Sequence, residues 1–294
     1  MAKPLSESTL PDGTRVFCVR SYEVGIIHDE MPGYFRHGVT VRDGDIVFDV
    51  GANIGLFGLW VRQFGKRITV YSFEPIPRTF RALAANAERH GVGRWNVFQC
   101  GLGKTSGSTT FGFHPHATVW SSAYPDDSPE ERKLLRDAVL RNLASCHRSI
   151  RWLRWLPPIL RRGLVNLALA RAFRFKTVQC PMRTLSDVVR EYSVPRIDLL
   201  KIDVQRGEMD VLEGIADGDW RKIRQVVIEI HDLQDDRVAR ATALLRRHGF
   251  DTIVAEQEPM LRGTDIYNLF ALRAPAKAPA PIDSPGAPRT VHAV

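Results

Sequence analysis

Paired cysteines are missing. Cys18, Cys100, Cys146 and Cys180 are far apart, and no two form a C-x-x-C metal or redox motif. Thiols so scattered fit buried side chains in a reducing compartment, not a disulfide framework. No stretch approaches the ~20 uninterrupted apolar residues of a membrane span. The first residues, Met1–Glu7, have no apolar core, so no signal peptide is expected and the protein is read as cytoplasmic. Acidic residues are scarce in one place: Glu130–Lys176 holds 12 Lys and Arg against 3 Asp and Glu, which accounts for the whole excess behind the formal charge of +8. The basicity therefore bears on what that segment touches.

The dinucleotide fingerprint G-x-G-x-x-G is also absent. Ile46-Val47-Phe48-Asp49-Val50 is an almost wholly apolar run, as expected of a strand buried on both faces. It ends in a turn with Gly51 and Gly55, and Leu56–Val61 starts a helix. Such a strand–turn–helix places N–H groups and a positive dipole end at one point. The fingerprint positions hold Gly51, Asn53 and Leu56, so a pyrophosphate is not the expected ligand. Asp49 at the strand end would repel one and instead suits a cation, for which S-adenosylmethionine, with its ammonium and sulfonium, is the natural candidate.

Further strands are expected at Ile68–Phe73, Trp95–Cys100, Thr177–Cys180, Ile197–Val204 and Val226–Ile230. Between them fall helices at Arg78–His90, Leu185–Tyr192 (capped by Ser186 or Thr184), Met209–Ile215 and Arg237–His248. Phe250–Val254 and Tyr267–Leu272 follow with no room for a helix between them. This pattern predicts an α/β, doubly wound, mostly parallel sheet with an antiparallel last strand, the Rossmann-like layout of class I methyltransferases. Residues 1–273 form the expected domain, with 114–175 as a basic helical insertion or lid. The Ala/Pro-rich 274–294 is expected to be a disordered tail or linker.

Ligands of such sheets sit at the carboxyl ends of the strands, here Asp49, Glu74, Cys100/Gly101, Asp203 and His231. Glu74 follows Asp49 by 25 residues, a spacing at which a carboxylate meets a ribose diol. His231 is the candidate base for deprotonating a hydroxyl, and Asp203 the candidate for positioning substrate or the methionine ammonium. Asp203, His231 and Asp232 also permit a divalent metal, although the reading adopted includes none.

The motifs Asp49-Val50-Gly51-Ala52-Asn53-Ile54-Gly55, Phe73-Glu74-Pro75, Leu200-Lys201-Ile202-Asp203-Val204 and Ile228-Glu229-Ile230-His231 resemble the FkbM family of methyltransferases. The likeness is to those working with polyketide and nonribosomal peptide assembly lines. It implies O-methyl transfer from S-adenosylmethionine, with Asp49, Gly51, Asn53, Gly55 and Glu74 cradling the cofactor. Ile54, Pro75, Cys100 and Gly101 complete the expected cofactor lining. The family pattern Asp-Val-Glu-Gly is here Asp203-Val204-Gln205-Arg206, a departure at two positions.

The expected acceptor is a hydroxyl on a small-molecule secondary-metabolite intermediate, free or carrier-bound. A sugar hydroxyl of a glycolipid and a non-catalytic scaffold are the alternatives. The insertion, with Trp152, Trp155 and several arginines, reads as a solvated lid, a docking surface for an acyl or peptidyl carrier protein, or a peripheral membrane contact. Nucleic acid is not expected as a partner, because Asp203 lacks the Pro-Pro-Tyr or Pro-Pro-Phe step that stacks a flipped base.

Overall fold

The computed structural model describes residues 4–91, 94–126, 128–232 and 236–274. The expected tail lies outside these, except for Ala274. A small hairpin, β1 (Ser6–Thr9) and β2 (Arg15–Cys18), leads into α1 (Ser21–Glu30) and a single 3-10 turn at Met31–Tyr34. The first βα units are β3 (Ile46–Val50), α2 (Leu56–Arg62), β4 (Thr69–Phe73), α3 (Pro77–His90) and β5 (Trp95–Phe98). Two strands, β6 (Gly101–Leu102) and β7 (Gly107–Phe113), precede the insertion helices α4 (Pro129–Arg141), α5 (Arg148–Arg151) and α6 (Pro158–Ala172). The chain continues through β8 (Lys176–Arg183), α7 (Leu185–Glu191), β9 (Leu199–Ile202), α8 (Glu208–Glu213) and α9 (Asp217–Trp220). It closes with β10 (Gln225–His231), α10 (Arg237–Arg247), β11 (Thr252–Glu256) and β12 (Ile266–Leu272).

Seven strands form the central sheet in the order β11-β12-β10-β9-β3-β4-β5. Only β12 runs against its neighbours, pairing antiparallel with both β10 and β11. This is the class I methyltransferase arrangement, with β3 and β9 adjacent at its middle. Alternate residues of β3 feed two apolar layers: Phe48 and Val50 pack on one face, Val47 on the other. That two-sided burial is why the strand tolerates so few polar residues. Thr184, not Ser186, caps α7 by accepting the Asp187 N–H at 3.0 Å. Ser186 Oγ instead accepts the Ala216 N–H at 2.8 Å.

One part of the topology differs from the sequence expectation. The third strand stops at Phe98, and Gly101-Leu102 pairs with β8 instead of joining the central sheet. Strand β8 also pairs along its length with β7, which the sequence reading did not anticipate. The partners flank the insertion, so no local pattern reports their register.

The close approach of the turn after β3 to the end of β9 requires a glycine. Gly51 has φ +80°, and a Cβ there would lie 1.7 Å from the Asp203 carbonyl oxygen. Gly51→Ala therefore combines left-handed strain with a backbone clash. It is expected to lower stability by roughly 3 kcal/mol, read from the urea midpoint. A wild-type midpoint would show that this approach can widen.

Candidate active site

A cavity of about 1450 Å³ opens at the carboxyl ends of β3, β4 and β9. Gly51, Ala52, Asn53, Ile54, Glu74, Pro75 and Gly101 face it, as does Asp203. The structure thus gathers most of the sequence-expected residues at one site. Cys100, Asp49, Gly55 and His231 do not line it; Gly55 faces Leu83 and Trp95, and Cys100 is buried among core residues.

The turn after β3 is held from within. Phe73 carbonyl accepts the N–H groups of both Gly51 and Ala52, at 3.0 and 2.9 Å. Asn53, at φ +50°, donates its N–H to Glu74 Oε2 at 3.1 Å, and its own Oδ1 accepts the Ile54 N–H at 2.8 Å. Gly55 N–H is taken by the Ala52 carbonyl. The free amide cradle that a phosphate would need is therefore not formed by these residues. Glu74 also accepts the Ile76 N–H through Oε1 at 2.9 Å. Each carboxylate oxygen retains a lone pair for another donor. Burial pushes the Glu74 pKa up to about 8, against the lowering effect of the two N–H donors. A buried acceptor with spare lone pairs fits a diol.

Asp49 has a partner other than the ligand expected from sequence. Its carboxylate is fully buried and lies 3.2 Å from Lys201 Nζ, across the β3–β9 pairing. The same ammonium lies 3.4 Å from Asp203 Oδ2 and donates to the Gly51 carbonyl at 3.3 Å. Burial disfavours the Lys201 charge, but Asp49 and Asp203 outweigh it and hold its pKa above the ordinary range. Burial raises the Asp49 pKa, partly offset by Lys201.

Beyond Lys201 the wall turns acidic. Tyr34 donates to Asp203 Oδ2 at 3.2 Å. Gln205 Nε2 bridges Asp203 Oδ1 at 3.3 Å and Glu229 Oε1 at 3.0 Å. A glutamate at 205 would put a third carboxylate there; the amide instead donates to both. Glu30, at the end of α1, lines the same region. Burial, then the charges of Glu258 and Asp203, push its pKa up to about 8. Burial also raises Glu229, with Asp203 adding to the effect. Sequence reasoning missed Glu30 and Tyr34: they belong to α1 and the 3-10 turn before β3 and carry no motif.

The other departure, Arg206, has φ +77°, a conformation natural to the glycine of the family pattern. Its guanidinium pairs with Asp126 at 2.8 Å and with Glu131 of α4 at 3.1 Å. Ser122 Oγ donates to the Gln205 carbonyl. These contacts fasten the insertion to the loop after β9.

His231 is placed apart from the large cavity. Its ring is 4% exposed, and Nδ1 is 2.9 Å from Glu208 Oε1. Burial lowers its pKa, but Glu208 outweighs that and raises it, favouring an imidazolium rather than a base. The ring borders a separate space of only about 50 Å³. The base expected at 231 thus does not line the large cavity.

The Methyltransferase FkbM domain model matches residues 49–252. This chain belongs to the FkbM methyltransferase family. It is 40% identical over 268 residues to 31-O-demethyl-FK506 methyltransferase FkbM of Streptomyces tacrolimicus, covering 90% of this chain and 95% of that one. Identity is 37% to AMB antimetabolite synthetase AmbE of Pseudomonas aeruginosa, over 91% of this chain but 12% of that much longer protein. Methyltransferase 1 of Beauveria bassiana is 30% identical over 85% of this chain and 90% of its own. The FkbM match begins at Asp49 and spans the strands that carry Lys201 and Glu229, with Asp203 just past β9. Glu30 and Tyr34 lie before it.

Removing the ammonium of this FkbM-family chain isolates its effect. Lys201→Met leaves Asp49 buried and unpaired, with an expected loss of about 3–5 kcal/mol where Asp49 is ionised. The unpaired carboxyl has its folded-state pKa raised above the unfolded value. The variant is therefore least impaired at low pH and loses stability as pH rises through that folded pKa. Urea unfolding at pH 5 and pH 8 checks this; an equal deficit at both would contradict it.

Proposed function

We propose that this methyltransferase transfers a methyl group from S-adenosylmethionine to a hydroxyl oxygen of a secondary-metabolite intermediate. The observation that carries the reading is the acidic end of the cavity, where Glu30, Asp203 and Glu229 meet beside the glycine turn. Glu30 and Glu229, raised by burial and by the charge of neighbouring acids, gain by ionising beside a positive charge, so this cluster of acids suits a cationic ligand. Glu74 would accept the ribose diol, while the wall around Gly51 would receive the methionine end. When bound, the cofactor supplies an electrophilic methyl on sulfonium sulfur.

The chain's own residues would do the rest. Asp203, held by Tyr34 and Gln205, orients the acceptor hydroxyl. Glu30 takes its proton as the oxygen attacks, a task suited to a carboxyl whose pKa is about 8. Apolar side chains such as Met31, Phe57 and Leu102 line the same space and limit competing water. The volume exceeds the ~300–1,000 Å³ of ordinary ligand pockets, leaving room for a bulky acceptor beside the cofactor. The name of the 31-O-demethyl-FK506 relative puts its own acceptor position at oxygen, which supports oxygen here.

The test is a pH–rate profile with 31-O-demethyl-FK506 as trial acceptor. The wild-type rate is expected to rise with pH through a limb near pH 8, as Glu30 loses its proton. Glu30→Gln should remove that limb and lower kcat by roughly 10²–10⁴-fold, while cofactor binding stays measurable by calorimetry. His231→Ala should keep kcat within a few-fold. If His231→Ala fell as far as Glu30→Gln, the base assignment would be lost. Failure of labelled cofactor to bind the wild type would remove the whole reading.

A further inference from the structure

From Ala138 to Ser186 the chain contains no Asp or Glu, while Arg148, Arg151, Arg154, Arg161 and Arg162 crowd the stretch from α5 into α6. Large apolar side chains in the same stretch face outward: Ile159 is 84% exposed, Trp155 78% and Leu167 69%. Helix α6 buries Val165 and Leu169 in a cluster with Leu143, Leu153 and Phe173. Its exposed surface carries Leu160, Leu164 and Leu167, at i, i+4 and i+7. A surface helix normally turns polar residues to that side. Here the outer side is apolar and flanked by arginine.

We propose that the α5–α6 segment docks the protein onto the surface of an anionic phospholipid bilayer. Ile159 and Trp155 stand mostly in solvent, so few protein atoms cover these side chains. A second folded protein would need a matching recess, whereas the boundary between headgroups and acyl chains deforms around such side chains. Guanidinium groups above it meet lipid phosphates, and Trp152 and Trp155 suit the headgroup level. Arg154 already lies over the Trp155 ring, 4.7 Å from its centroid, joining cation and anchor. Among the described residues no helix is long and apolar enough to cross a membrane, so the contact lies along the surface. Trp152 and Leu164 belong both to this patch and to the cavity lining. Docking would therefore bring the cavity against the lipid.

The full chain is mixed with vesicles of phosphatidylglycerol and phosphatidylcholine, or of phosphatidylcholine alone, and sedimented while Trp fluorescence is followed. Binding should be roughly tenfold stronger to the anionic vesicles, with a blue-shifted emission, and should weaken with salt. A triple variant, Trp155→Ser, Ile159→Ser and Leu167→Ser, should lose about tenfold in partitioning while keeping its melting temperature, since all three side chains are exposed. Arg151→Glu with Arg154→Glu should abolish the preference for anionic lipid. Equal binding to both vesicle types, or equal binding by the triple variant, would overturn the proposal. So would a wild-type dimer that the triple variant dissolves, or an acidic carrier protein that binds this patch while vesicles do not. None of these readouts uses turnover, so they stand apart from the methyl-transfer test.

Discussion

The Lys201 ammonium between Asp49 and Asp203 is the interaction on which the site depends. It joins the middle strands of the sheet at the level where both end, with Asp49 fully buried and Lys201 nearly so. Charges in such a position are tolerable only as a matched set, because burying either alone costs several kcal/mol. The pair therefore holds the strand ends in register while leaving the outer edge of Asp203 at the cavity. A site needing a carboxylate at a fixed place gains one whose neighbours already constrain it.

The close approach of Gly51 to the Asp203 carbonyl is the backbone counterpart of that pair. Together they bring the turn after β3 and the end of β9 to opposite sides of one space. Since the turn's own amides are consumed by Phe73, Glu74, Asn53 and Ala52, what it offers a ligand is shape and the Glu74 carboxylate. The groups the turn leaves free are thus hydrogen-bond acceptors and not donors. That balance separates this site from a phosphate-binding turn built on the same strand–turn–helix.

Attachment of the insertion follows the same electrostatic logic. Arg206 holds a left-handed backbone conformation that disfavours a side chain, and its ion pairs to Asp126 and Glu131 compensate. Its neighbour Gln205 donates to Asp203 and Glu229 on the other side of the loop. One short loop therefore couples the basic segment to the acidic end of the cavity. The two departures from the family pattern act as a unit: one anchors the insertion, and the other keeps the carboxylate set hydrogen-bonded.

Sequence by itself determined the sheet's central elements and the residues at their ends. Apolar runs of strand length, Gly at 51 and 55 and the helix-free final pair are local signals, each set by backbone geometry or burial within a few residues. Family membership was legible for the same reason, since its motifs sit at those strand ends. Only the tertiary structure decided the partners of those residues. It gave Asp49 to Lys201 and His231 to Glu208, and it moved Gly101-Leu102 into the sheet with β8. It also brought Glu30 and Tyr34 from the N-terminal segment to the cavity wall. Side-chain pairing across strands depends on register and on approach between residues distant in the chain. Periodicity marks which face a residue occupies, but not which charge will meet it there.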